Sequence, residues 1–139
     1  MNYAVESVRD WIFSIMEEAA NRFDIDGIEF NFTRLPACFP RGEAEKSHAI
    51  LTAFVRRVRL MLDGVGKERG RRLILGVRVL QHLDSCRTMG FDIPTWIGER
   101  LIDYVAPGDI GFTDPNARFD EFVRIARESN CYVYPQVQE

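Results

Sequence analysis

Asp24-Ile-Asp-Gly-Ile-Glu-Phe-Asn-Phe-Thr-Arg-Leu-Pro36 alternates strictly through its middle. Ile28, Phe30 and Phe32 fall on one side, and Gly27, Glu29 and Asn31 on the other. A period of two built from aromatic and β-branched residues predicts a strand, here about Ile25 to Phe32. The apolar trio suits burial against helices. Glu29 and Asn31 then occupy the opposite face, where desolvating a polar side chain costs free energy unless it finds a partner. That second face is the place to look for function.

Helical periodicity precedes this strand. Val5, Val8, Ile12, Ile15, Ala19 and Phe23 recur every three or four residues and predict one apolar stripe on a helix from about Val5 to Phe23. After the strand, Pro36 and Pro40 exclude a regular helix through Thr33 to about Gly42. A long helix follows from about Glu43 to Val65, with Ile50, Phe54, Val58, Met61 and Val65 on its buried side. The charges from Arg56 to Arg72 read as a solvated helix face and a basic turn. Leu73 to Val79 is nearly continuous in apolar residues, as a parallel strand covered on both faces would be.

Further on, Leu83 to Met89 predicts a short helix stopped by Gly90. A second short helix over Phe91 to Arg100 has Asp92 as N-cap. Ile102 to Pro107 is a third strand. Asp114-Pro115 has the form of a helix start, with Phe119, Phe122, Val123 and Ala126 turned inward, and Cys131 to Pro135 closes as a fourth strand. Alternating helices and strands predict a parallel sheet with right-handed crossovers. No linker divides the chain, so residues 1–139 form one domain.

Composition narrows the function classes. The chain is 46% hydrophobic and 28% charged, and its net charge of −3 offers no broad basic field for nucleic acid. No apolar run is long enough to span a membrane, and charges near Met1 sit where a signal peptide would be apolar. Three widely spaced cysteines, Cys38, Cys86 and Cys131, suggest a reduced, cytoplasmic protein. His48 and His82 have no metal-ligand spacing and read as solvated. No glycine-rich phosphate loop is present, so no cofactor is expected.

Several phrases match a known pattern. Asp26-Gly-Ile-Glu-Phe-Asn-Phe-Thr-Arg-Leu-Pro36 resembles the DGIxLDFxRxP signature of glycoside-hydrolase-like (β/α)8 TIM-barrel proteins. Leu75-Gly-Val-Arg-Val79 and Trp96-Ile-Gly-Glu-Arg-Leu-Ile-Asp-Tyr-Val-Ala-Pro107 resemble the next two strand regions of the same proteins, in the same order. The resemblance implies strands four to seven of an eight-stranded barrel. A full barrel takes about 250 residues, so the expected fold is an α/β half barrel, a parallel (β/α)4 sheet with helices on its outer face. Open edges invite pairing with another chain, and a homodimer would cover both the edges and the bare face. A piece of a longer enzyme is the other reading.

Barrel geometry gathers site residues at the carboxyl ends of the strands. There lie Glu29, Asn31 and Arg34 from the first strand region, Arg78 from the second, and Asp109, Tyr134 and Gln136 from the later ends. Glycoside hydrolysis usually needs two carboxyl groups flanking the bond. The resemblance implies a carboxylate at position 31, where this chain has Asn31, an amide that cannot serve as base. Glu29 and Asp109 are therefore the candidate catalytic pair. Against that, Glu29 and Arg78 can form a buried ion pair across adjacent strands, and Asp109 in a Gly-Asp loop suits a turn.

Arg34 suits a substrate carboxylate or sugar hydroxyl, or pins the loop before Pro36. Tyr132 and Tyr134 suit stacking on a sugar ring or packing against an opposite half barrel. Trp11 and Trp96 read as core or interface, and Cys38 lacks a nearby histidine to activate it. The expectation is a carbohydrate-related half barrel with incomplete hydrolytic machinery, dimeric, able to bind a saccharide. The competing expectation is a non-catalytic scaffold whose polar face only stabilises the dimer.

Overall fold

The alternation around Phe30 becomes a strand with one face in the core: Phe30 and Phe32 are buried and Asn31 is exposed. In the computed structural model, which describes residues 1–137, this strand, β1 (Gly27–Asn31), pairs in parallel with β2 (Ile74–Val79). β3 (Tyr104–Pro107) and β4 (Tyr132–Val133) extend the same parallel sheet, in the order β1-β2-β3-β4. Helices α1 (Glu6–Arg22), α2 (His48–Arg69), α3 (Leu83–Thr88), α4 (Ile93–Gly98) and α5 (Phe119–Ala126) alternate with the strands, and a 3-10 turn over Glu45–Ser47 leads into α2. The fold is thus the α/β half-barrel arrangement, open at β1 and β4.

The core lies between the helices and one sheet face. Leu75, Val77, Val79 and Val105 point into it and are fully buried. Phe32 stacks on Phe91 with ring centroids 4.8 Å apart, and Trp96 leans against both. Each such side chain removed from water contributes roughly 1.5–3 kcal/mol. Asp92 caps α4 as its sequence suggests, accepting a hydrogen bond from the Thr95 amide at 3.3 Å. Gly90, at φ +84°, supplies the left-handed turn that separates α3 from α4.

Several expectations are corrected. The buried line of α1 is Val8, Ile12, Met16 and Ala20, rotated from the predicted stripe; Val5, Ile15 and Phe23 are exposed. α2 does not stop at Val65 but runs to Arg69, because Lys67 and Arg69 in its last turn suit the negative end of the helix dipole. Asp114 organises a turn instead of a helix: its carboxylate accepts from the Asn116 amide at 2.8 Å, and α5 begins only at Phe119. On α5, Phe122 and Ala126 are buried, Val123 is 48% exposed, and Ile125 packs against the core instead. Trp96 is core, whereas Trp11 is 61% exposed.

The largest correction concerns charge. Arg59 is no part of a solvated face; it is 4% exposed. Its guanidinium donates to Asp103 Oδ2 at 3.0 Å and to the Leu73 carbonyl at 2.8 Å, and it pairs with Asp63 at 2.8 Å. Asp103 also accepts from Arg72 Nε at 2.7 Å and from the Leu75 amide at 2.8 Å. This network ties α2 to the amino ends of β2 and β3, the end of a half barrel associated with stability.

The three thiols are free and buried. Burial pushes Cys38 up to about 11 and Cys86 and Cys131 up to about 12. Reactive cysteines need thiolate character and exposure, so a thiol reagent at pH 8 should label the native protein slowly and the urea-unfolded protein quickly. Equal labelling rates would contradict this burial.

Candidate functional site

The strand register sorts the open face into rows. Glu29 aligns with Gly76, Gly76 with Tyr104, and Tyr104 with Tyr132. One step toward the carboxyl ends, Asn31 aligns with Arg78 and Arg78 with Ala106. The Tyr134 amide donates to the Val105 carbonyl at 2.9 Å, which carries this second row across to Tyr134. Alternate residues share a face of a strand, so all these side chains lie on the sheet surface opposite the helices.

At the centre, Glu29 uses both carboxylate oxygens. Oε1 accepts from Arg78 Nε at 2.6 Å, and Oε2 accepts from the Tyr104 hydroxyl at 2.6 Å. With its amide oxygen turned toward Arg78, Gln136 accepts from Nη1 and Nε at 3.1 Å. The Glu29–Arg78 pair is half exposed, with 27% and 43% of the two side chains accessible, and not deeply buried as the sequence suggested. Water therefore screens it, and its worth rests on its hydrogen bonds more than on its charge.

Two glycines make this arrangement possible. A Cβ on Gly76 would lie 2.0 Å from Tyr104 Cζ, so the Tyr104 ring lies directly on the β2 backbone. A Cβ on Gly108 would lie 2.6 Å from that of Gln136, whose chain passes over the end of β3. Sequence reasoning missed Tyr104. Its signal was Gly76: a glycine within an otherwise apolar strand marks a place where another group approaches the backbone closely.

Tyr104 is pushed up to about 12, first by burial and then by its bond to Glu29. A phenol raised above its ordinary value of about 10 contributes stability in full below that pH. The contribution is lost as pH rises through about 12. Changing Glu29 to Gln should lower the Tyr104 pKa only part of the way, because burial remains. Ring-carbon NMR during an alkaline titration checks this, with Tyr3, raised to about 12 chiefly by its own burial, as the unchanged control. No downward shift would show that the carboxylate does not act on the phenol.

The remaining candidates separate. Asn31 Oδ1 accepts from the Thr33 amide and hydroxyl, at 3.2 and 2.7 Å. Tyr134 and Tyr132 stack at 6.2 Å with their planes 22° apart, and are 55% and 67% exposed. Arg34 is exposed in the loop leaving β1. Asp109 sits in the loop after β3, its Oδ1 accepting from the Ile110 amide at 2.6 Å, as a turn residue does.

Gln81, 4% exposed, anchors that same loop: its amide donates to the Phe112 carbonyl at 3.2 Å and accepts from the Asp114 amide at 2.7 Å. His82 is not simply solvated, since its Nε2 lies 3.0 Å from Asp114 Oδ2. The Asn116 amide, and after it His82, hold the Asp114 carboxyl below its usual range.

A cavity of about 420 Å³ lies apart from this face, between the 3-10 turn, α3 and α4. Its charged groups pair with one another, Arg87 with Glu45 and His48 with Asp92, over an apolar floor that includes Phe91. Among the described residues no group of three or more His, Cys, Asp or Glu side chains is placed to hold a metal ion, and no helix is long and apolar enough to cross a membrane. No protein-family model matches the chain and no curated protein matches it, so the residues themselves carry the functional argument.

Proposed function

We propose that the cleft between the strand ends, at the rim of the open face, binds a saccharide on a half barrel that pairs with a second copy, and that it binds without hydrolysing. The observation that carries this reading is the exposed, stacked Tyr132–Tyr134 pair beside a row of planar polar side chains, Asn31, Arg78 and Gln136. Aromatic faces offer area to the C–H face of a sugar ring, while convergent polar groups set its orientation.

Hydrolysis is disfavoured by the state of Glu29. Its two oxygens are already bonded to Arg78 and Tyr104. Asn31 is an amide, and Asp109 turns Oδ1 back to the Ile110 amide of its own loop. Pairing of β4 with the β1 of a second copy would satisfy both open edges and leave the strand ends accessible.

Amide NMR during titration with neutral and acidic oligosaccharides tests the reading. Shifts are expected at Asn31 and Tyr134, and Tyr134→Ala should abolish them. No shift with any sugar would favour the scaffold reading, in which Glu29, held by its two partners, serves stability alone. Light scattering over a range of concentrations should give twice the 16.1 kDa chain mass. A concentration-independent monomer would rule out the pairing.

A further inference from the structure

We infer that the bound saccharide is anionic, a uronic-acid-type sugar whose carboxylate is received at the carboxyl ends of β1 and β2. The inference rests on the saccharide-binding reading above and adds its chemical class. It follows from which hydrogen-bonding capacity on the face is spent and which is left.

The acceptors are largely engaged. Glu29 Oε1 and Oε2 each accept one short hydrogen bond, from Arg78 and from Tyr104. Asn31 Oδ1 is taken twice by Thr33, and the Gln136 oxygen is taken by Arg78.

The donors are not. Arg78 Nη2 and Asn31 Nδ2 have no hydrogen-bond partner among the described residues, and both belong to one row of the sheet. Turning the Gln136 oxygen to Arg78 leaves its amide N–H groups free of that guanidinium. Arg34, three residues beyond Asn31 in the loop leaving β1, is exposed and has no ion pair among the described residues.

A neutral sugar hydroxyl seeks donors and acceptors together, whereas a carboxylate only accepts. The charges agree. Glu29 neutralises Arg78, so Arg34 is left as positive charge on the β1 side, and a guanidinium fork matches a carboxylate in bidentate fashion. The carboxylates of Asp109 and Asp114 lie in the loop region after β3, on the far side of β2 from β1. Tyr132 and Tyr134 retain hydroxyls that can donate or accept, and these suit the remaining ring hydroxyls.

The test compares three probes by amide NMR at low salt: a galacturonate trisaccharide, a galactose trisaccharide and acetate. The galacturonate trisaccharide should bind about tenfold more tightly than the neutral one, a difference of about 1.4 kcal/mol. Added salt should shrink that preference, since the site is exposed. Arg34→Gln, at an exposed position with no ion pair among the described residues, should leave the fold intact and bring the two trisaccharides to about equal affinity. Equal binding of both by the wild-type protein would overturn the anionic assignment and leave the saccharide reading standing. Acetate binding as tightly as galacturonate would overturn it too, because the sugar would then contribute nothing. Binding of none of the probes would remove the saccharide reading and this inference with it.

Discussion

Asp103→Ala should lower the unfolding free energy by about 3 kcal/mol, the lower part of the cost of stranding a buried charge. Arg59 is almost wholly buried, and Asp103 is its partner on the sheet side at 3.0 Å. Without that carboxylate, the guanidinium keeps Asp63 and the Leu73 carbonyl, so the loss stops short of the full penalty. The Leu75 amide loses its acceptor at the same time, at the point where β2 begins. Urea unfolding checks the value. The double variant Arg59→Met, Asp103→Leu separates the causes, because replacing both charges with apolar groups should recover the part of the loss due to the stranded charge, while the Leu75 amide and the Leu73 carbonyl stay without these partners. A single variant as stable as wild type would mean that water already reaches Arg59.

Trp96→Ala should cost about 3–5 kcal/mol, the range for removing a large aromatic from a packed core. Trp96 is fully buried, packs against Phe32 and Phe91, and donates its indole N–H to Thr52 Oγ1 at 2.9 Å. Trp96→Phe keeps most of the packing but leaves the buried Thr52 hydroxyl without its donor, for a loss of about 1–3 kcal/mol. Far-UV circular dichroism is the suitable probe, because the other tryptophan, Trp11, is 61% exposed and would report unfolding poorly. Equal stability of the two variants would show that the hydrogen bond, not the ring volume, dominates at this site.

Much of the candidate site was legible because strand parity is a local property. Once Phe30 and Phe32 face the helices, Glu29 and Asn31 must face away, and the same counting puts Arg78 and Tyr134 on that surface. The Glu29–Arg78 contact followed from placing two strands side by side. Tyr104 did not follow. Its role depends on Gly76 lying under its ring, which requires the register between β2 and β3, and nothing local to either segment encodes that register. The Gln136 contact to Arg78 likewise joins two segments that only the sheet brings together.

The chain's periodicities were sufficient for four parallel strands, their helices, the inward aromatics and the cap at Asp92, because each depends on residues within a few positions of one another. Folding in three dimensions set what depends on distant neighbours. It buried Arg59 by bringing Asp103 and the Leu73 carbonyl to it, left Trp11 in solvent by rotating α1, and made Asp114 a partner of His82 instead of a helix cap. An arginine on a helix is written the same way whether it meets water or a carboxylate 44 residues away; only the packing of the strand beside it supplies the second charge.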